Sequence, residues 1–200
     1  MSRMSPEITE TLIPLFYPGE KVLDVGCGDA SLLTALSCRG LHRFGTDPSY
    51  FDSPPPDIPE EVTLLPGRAE TLPFEASFFD TVVLQCVFSL CRPAATVQEI
   101  CRVLKPGGRL LLTDLYSLSS SVSTLNSSLL DVLYPKTELE ALFSPCFQPL
   151  AFRDLTPALT EMILEAIWSG EADACASCGD LSALRAAKAR YGLWIWQKSV

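Results

Sequence analysis

The chain has 200 residues, 48% of them hydrophobic, which is typical of one globular domain with a substantial core. Its 15 basic and 24 acidic residues give a formal net charge of −9. This charge repels a phosphate backbone, so we expect no nucleic-acid partner. No apolar run reaches the roughly 18 to 20 residues that span a bilayer, and the first residues lack a signal-peptide pattern. We therefore expect a cytoplasmic protein without a membrane partner, and reduced thiols for its eight cysteines.

The first half alternates short apolar runs with helical patterns, which is typical of an α/β protein with a parallel sheet. Strands are predicted at residues 21–25, 41–47, 61–67, 80–86 and 109–116. Helices are predicted over 29–40, with Gly40 as C-cap, and over 94–104, where "KPGG" ends the second one.

The second half is less regular. Residues 117–128, "SLSSSVSTLNSS", are predicted to form either a linker or a mobile segment over a site. Further elements are a helix in 136–146 capped by Thr137, a strand over 147–155, a helix from Pro157 to Trp168 and a buried strand over 191–199.

We predict one domain for residues 1–200, because no repeat or composition change marks a second one. Within it we expect an N-terminal helical segment or lid over 1–18 and a ligand-binding core over 19–116. Residues 117–200 would then supply the other half of the site and the closing strands.

The stretch "VLDVGCGDASLL" runs from a strand through Gly26 and Gly28 into a helix, which lets backbone amides approach a ligand closely. Ser31 stands where the dinucleotide fingerprint requires a third glycine, so NAD and FAD are disfavoured. Asp47 ends the second strand, where a carboxylate can accept hydrogen bonds from both hydroxyls of a ribose. The alternative is an aspartate that only begins a turn before Pro48.

With the blocks "GTDPS", "GRAETLPF" and "EICRVLKPGGRLLLTDLY", this stretch closely resembles the class I S-adenosylmethionine-dependent methyltransferases. The likeness is to small enzymes such as those of ubiquinone and menaquinone biosynthesis, and covers about residues 15–116. It implies a Rossmann-like α/β fold with a seven-stranded, mostly parallel sheet, an antiparallel C-terminal strand and helices on both faces. It also implies S-adenosyl-L-methionine as the cofactor.

The resemblance implies ten cofactor-binding residues, with Asp24 near the ammonium, the glycine turn around the methionine part and Asp47 at the ribose. They are Asp24, Gly26, Cys27, Gly28, Asp47, Pro48, Ala69, Glu70, Gln85 and Cys86. Ala69 and Glu70 fall at the adenine ring, with an exposed loop charge as the alternative for Glu70.

Two features depart from the family pattern. Ala30 replaces a frequent third glycine, which we expect to be tolerated because alanine is small and a good helix former. The prolines of "PSYFDSPPPDIPEE", residues 48–61, predict an abbreviated crossover and a more open adenine pocket.

The implied chemistry is in-line displacement at an activated sulfonium methyl, which depends mainly on positioning a small-molecule acceptor. If the acceptor loses a proton, the predicted catalytic residues are Asp114 and Tyr116 after the fifth strand, with Cys86 as a further candidate. Asp114 also has a purely structural interpretation in such a turn.

Two other functions remain open. The chain could be a cofactor-binding regulatory protein without transferase activity. It could also be a metalloid methyltransferase, as some relatives methylate arsenite, with Cys175 and Cys178 joining Cys86 or Cys91 as soft ligands. A zinc site is not predicted, because no second ligand pair accompanies Cys175 and Cys178. A nicotinamide oxidoreductase is disfavoured, and the only histidine, His42, is predicted to have a surface or packing role.

Overall fold

The computed structural model describes residues 6–53, 61–119, 123–127, 130–158, 160 and 186–200. Strands are numbered in chain order: β1 Lys21–Val25, β2 His42–Asp47, β3 Val62–Pro66, β4 Phe79–Gln85, β5 Leu104–Ser117, β6 Ser123–Ser127, β7 Leu130–Leu133, β8 Phe147–Asp154 and β9 Ala189–Lys198. The α-helices are α1 Pro6–Leu12, α2 Ser31–Ala35, α3 Pro93–Val103 and α4 Lys136–Phe143. Short 3-10 turns cover Ile13–Leu15, Ser37–Arg39, Pro48–Phe51 and Phe88–Leu90.

Seven strands form one sheet in the order β3-β2-β1-β4-β5-β9-β8. The neighbours from β3 to β5 are parallel, whereas β9 lies antiparallel between β5 and β8. This confirms the expected Rossmann-like fold and its inserted C-terminal strand. The closing "LWIWQ" segment pairs with β5 from Leu193 opposite Thr113 to Gln197 opposite Arg109.

Apolar side chains cover both faces of the sheet, because successive residues of a strand point to opposite sides. Leu110 and Leu112 belong to a core cluster that includes residues of α3 and α4. Leu111 belongs to a second cluster with Leu32 of α2 and Leu12 of α1. The continuous apolar runs seen in the sequence therefore reflect burial on both faces.

The "KPGG" segment does more than end a helix. The helix ends at Val103, and β5 begins at once with Leu104 opposite Phe79. The next pair joins Thr81 and Arg109, so the intervening residues form a bulge in which Gly107 has a φ of +74°. The fifth strand is consequently longer than the predicted 109–116.

The predicted helix over 29–40 is broken into α2 and a 3-10 turn. Gly40 has a φ of +63°, as expected for a helix end. Arg43, which is buried, donates through Nη1 to the carbonyl oxygen of Leu33 at 2.8 Å and so satisfies a carbonyl of α2.

In the second half, residues 123–127 pair with 130–133 as a hairpin, so the linker interpretation of that segment is wrong. The N-cap of α4 is Pro135, and no side chain caps it, so the capping role of Thr137 is also wrong. Most of the helix predicted from Pro157 to Trp168, and both Cys175 and Cys178, lie outside the described residues.

Within the described ranges, no helix combines the length and the apolar character needed to cross a bilayer. Five cysteines there form no disulfide: Cys27, Cys86, Cys91, Cys101 and Cys146.

Candidate functional site

The predicted site residues meet at the carboxyl edge of the sheet. Val25, the last residue of β1, pairs with Thr46 of β2 and Leu84 of β4, and Gln85 pairs with Thr113 of β5. The loops that follow these four strands therefore emerge side by side. This edge is where open α/β sheets bind ligands.

The turn after β1 is held tightly against its neighbours. The backbone N–H groups of Gly26 and Cys27 both donate to the carbonyl oxygen of Thr46, at 2.7 and 3.1 Å. Gly26 has a φ of +73°, and a Cβ on it would lie 2.5 Å from Cγ2 of Val87, in the loop after β4. This position accordingly requires glycine, for conformational and for steric reasons.

Ala30 does not lie within the helix, so helix propensity does not explain why alanine is tolerated at this position. It precedes α2 as its N-cap and has a left-handed φ of +57°. Its methyl group is fully buried and packs with Cys27 and Leu33. A glycine would be relaxed in this conformation, whereas alanine bears a strain of about 1 kcal/mol.

Asp24 is the most perturbed carboxyl group of the edge. Its residue is only 4% exposed, and burial raises the pKa of Asp24 to about 8, with further contributions from Asp47 and Asp29. No hydrogen bond from the described residues stabilises its ionised form. The site therefore presents a buried acid whose charge is favourable only beside a cation.

Asp47 organises two loops at once. Its Oδ2 accepts a hydrogen bond from the Gly28 N–H at 3.0 Å. Its Oδ1 accepts from the N–H and the hydroxyl of Ser49, at 2.9 and 2.5 Å. Asp47 thus begins the 3-10 turn at Pro48, as the turn interpretation predicted, and also faces the glycine turn.

Tyr50, which the sequence interpretation missed, joins the same two loops. Its hydroxyl donates to the carbonyl oxygen of Gly28 and lies 3.3 Å from Sγ of Cys27. Burial and the neighbouring Asp24 raise the pKa of the Cys27 thiol to about 12, so this thiol is protonated at neutral pH. The only sequence signal was an aromatic residue three positions after Asp47.

The loop after β3 is fastened to α3. Ala69 is buried, and Oε1 of Glu70 accepts a hydrogen bond from the N–H of Arg92, the N-cap of α3, at 2.9 Å. The side chain of Glu70 is only 14% exposed, so the interpretation as an exposed loop charge is wrong. Oε2 of Glu99 in α3 accepts a hydrogen bond from the N–H of Leu72, in the same loop, at 2.8 Å.

The end of β4 carries an unsatisfied amide. Nε2 of Gln85 is buried and has no hydrogen-bond partner among the described residues. The next residue, Cys86, has a left-handed φ of +53°, and its Sγ lies 3.2 Å from the hydroxyl of the buried Tyr191 in β9. A free amide donor and a strained backbone side by side are typical of ligand-binding loops.

Asp114 and Tyr116 lie at the end of β5 but differ in environment. Asp114 accepts from the N–H groups of Ser89 and Leu115, at 3.0 and 2.8 Å, and so holds the turn after β4. Burial raises the pKa of Asp114 to about 6 against the effect of these bonds. Tyr116 is buried, with its ring centroid 5.4 Å from that of Trp194.

The described residues contain no group of three or more histidine, cysteine or acidic residues that could hold a metal ion. His42 lies exposed at the start of β2, away from the carboxyl edge.

Comparisons with known proteins show a similarity to methyltransferases over about half of the chain. Residues 23–112 match the family model described as a methyltransferase domain. An uncharacterized methyltransferase of Mycobacterium tuberculosis is 36% identical over 107 residues, covering 52% of this chain and 43% of that protein. A malonyl-acyl-carrier protein O-methyltransferase of Herminiimonas arsenicoxydans is 36% identical over 106 residues, covering 50% and 39%. The matched region thus spans less than half of either relative.

Solved structures share the fold over nearly the whole chain. A geranyl diphosphate C-methyltransferase from Streptomyces coelicolor, solved with S-adenosyl-L-homocysteine, superposes with a TM-score of 0.74 at 16% identity, covering 96% of this chain and 78% of that one. The cyclase SpnF superposes with a TM-score of 0.73 at 21% identity, covering 97% and 80%.

Proposed function

We propose that this chain, whose residues 23–112 match a methyltransferase domain, is a class I methyltransferase that binds S-adenosyl-L-methionine and transfers its methyl group to a small-molecule acceptor. The single observation that carries the proposal is Asp24. A buried carboxyl group with a pKa of about 8 beside a glycine turn has no cationic partner among the described residues, and the ammonium of the cofactor would supply one.

The other residues of the edge fit the same ligand. Asp47 faces the glycine turn as a carboxylate that would accept from ribose hydroxyls. The buried Nε2 of Gln85 could donate a hydrogen bond to the ligand. Ala69 has a small buried side chain in the loop where the adenine would lie. The carboxylate of Glu70 accepts from the N–H of Arg92, the N-cap of α3. Its proposed contribution to the adenine site is therefore to hold the loop that would contact the ring.

The bound cofactor would supply an activated methyl on a sulfonium sulfur. The work of the protein is then to align the acceptor and to exclude water. Asp114 positions the turn after β4 through the N–H of Ser89, and with Tyr116 it borders the region proposed for the acceptor. We further propose that residues 1–200 form one domain, in which residues 117–200 form the acceptor side.

The alternatives are less favoured. A regulatory cofactor-binding protein would need the same pocket. The structural likeness to the cyclase SpnF illustrates that a shared fold does not determine the reaction. Two relatives that are 36% identical to this chain over 107 and 106 residues are named methyltransferases. For the metalloid alternative, Cys175 and Cys178 lie outside the described residues.

Calorimetry with S-adenosyl-L-homocysteine tests the pocket. We expect the wild-type protein to bind and Asp47→Ala to bind at least about tenfold more weakly, because it loses a charged acceptor for two hydroxyls. Asp52→Ala is the matched control, since Asp52 is an exposed carboxylate five positions further along the same loop. Equal affinity of the wild type and Asp47→Ala would show that the ligand does not reach this loop.

Transfer itself is tested with methyl-labelled cofactor and a fractionated small-molecule extract. Label in a low-mass product would support the enzyme. Cofactor binding without transfer to any fraction would favour the regulatory alternative.

A further inference from the structure

The backbone of Gly28 is held from both sides by the turn that follows β2. Its N–H donates to Oδ2 of Asp47 at 3.0 Å, and its carbonyl oxygen accepts from the hydroxyl of Tyr50. Gly28 has a φ of +52° and open space where a Cβ would lie, so side-chain packing does not fix the two peptide groups that flank it. Each of these peptide groups is instead held by one hydrogen bond, the first by Asp47 and the second by Tyr50.

The protons in this contact can be assigned from valence. A carbonyl oxygen only accepts, so the single proton of Tyr50 points to Gly28. The Tyr50 oxygen then accepts from the thiol of Cys27, whose Sγ is 3.3 Å away. Both groups are protonated, since burial raises the pKa of Tyr50 as well as that of Cys27. The result is a chain from Cys27 through Tyr50 to Gly28.

The ring of Tyr50 is itself held in place. It packs against the small cluster formed by Cys27, Ala30 and Leu33, at the start of α2. Asp47 also fixes the turn that carries Tyr50, by accepting from the N–H of Ser49. The side chain that carries the hydroxyl is therefore fixed by packing and by the turn, as a positioning group requires.

We propose that Tyr50 is a positioning residue for the amino-acid end of the cofactor: its hydroxyl holds the peptide group between Gly28 and Asp29 in the orientation that the methionine part meets. This inference rests on the proposed function, because it assumes that the glycine turn surrounds that part. Asp47 holds the preceding peptide group, between Cys27 and Gly28, and faces the proposed ribose site. Loss of the Tyr50 hydroxyl should accordingly weaken contacts to the amino-acid end while leaving contacts to the nucleoside intact.

Tyr50→Phe tests this role, because it keeps the packed ring and removes only the hydroxyl. Calorimetry should show binding of S-adenosyl-L-homocysteine weakened about three- to tenfold, the usual range for one lost hydrogen bond. Binding of adenosine, which lacks the amino-acid end, should change less than about twofold. Tyr17→Phe is the matched control, since Tyr17 is exposed and stacks on Arg109 away from the site.

Each outcome has a distinct meaning. If the wild-type protein binds neither ligand, the proposed function fails and this inference fails with it. If the wild type binds and Tyr50→Phe binds S-adenosyl-L-homocysteine equally well, the pocket stands and the role of Tyr50 is refuted. An equal loss for both ligands, or a variant that melts well below the wild type, would show a general structural role instead. Thermal melting of each variant accompanies the titrations.

Discussion

Asp24→Asn should make the unliganded protein more stable while removing cofactor binding. The carboxyl group of Asp24 is buried, and its pKa is raised to about 8, against about 3.9 in an unfolded chain. Between these two values the folded protein holds one proton more than the unfolded chain. Its stability therefore falls as the pH rises through this window, and asparagine removes that dependence.

The size of the effect follows from the width of the window. Each pH unit within the window lowers the free energy of unfolding of the wild type by about 1.4 kcal/mol. The stability advantage of Asp24→Asn should therefore grow by about 3 kcal/mol between about pH 5.5 and about pH 8.5. For a chain of this length that growth corresponds to a Tm difference of about 6–12 °C. The cost of burying the amide is the same at both pH values and cancels in the comparison.

The assay is thermal melting of both proteins at the two pH values without ligand. Asp80→Asn is the useful contrast, because a lysine partner and a backbone N–H lower the pKa of Asp80 despite its partial burial. That variant should lose stability at both pH values. If the Tm gap between Asp24→Asn and the wild type does not widen with pH, Asp24 is not a destabilised acid and does not form the proposed cation site.

Cofactor binding gives a second readout of the same group. Near pH 7 the unliganded Asp24 is largely protonated, so pairing with an ammonium should release close to one proton per site. Calorimetry in buffers of different ionisation enthalpy measures this number directly. A release near zero in the wild type would contradict the proposed ion pair.

Two further substitutions probe the framework of the site. Gly26→Ala should lower the Tm by about 3–9 °C, because it combines left-handed strain with a contact to Val87; Val87→Ala in the same chain should recover part of this loss. An unchanged Tm would show that the turn relaxes freely. Glu70→Ala should lower the Tm by about 2–4 °C, because it removes the acceptor for the N–H of Arg92, whereas the exposed Glu75→Ala should not. Equal melting of these two variants would refute the anchoring role of Glu70.

The fold of the first half was predictable because its signals are local. Strands buried on both faces appear as continuous apolar runs, and the observed bounds of β1 to β4 lie within a residue or so of the predicted ones. The hairpin at 123–133 was not predictable, since its serine-rich first strand lacks an apolar pattern. Its pairing depends on a partner segment that composition does not reveal.

The site was predictable where a residue type has a single use. Gly26 is required by a positive φ and by the approach of Val87, and Asp47 ends its strand at the ligand-binding edge. Tyr50 was missed because nothing in its local sequence indicates that its hydroxyl meets Gly28, 22 positions earlier. The same holds for Glu70 and the N–H of Arg92.

The order of the elements, the glycine turn and the positions of the acidic residues can be read from the amino-acid sequence, because propensity and periodicity act over a few neighbours. The pKa values of those acids depend on the tertiary environment and cannot be read in this way. Asp24 and Asp114 are both buried aspartates near strand ends. Backbone donors hold the pKa of Asp114 near 6, whereas Asp24 accepts from no backbone donor among the described residues and its pKa reaches about 8. Desolvation and hydrogen bonding depend on residues brought together from distant parts of the chain, and these set the chemistry of the site.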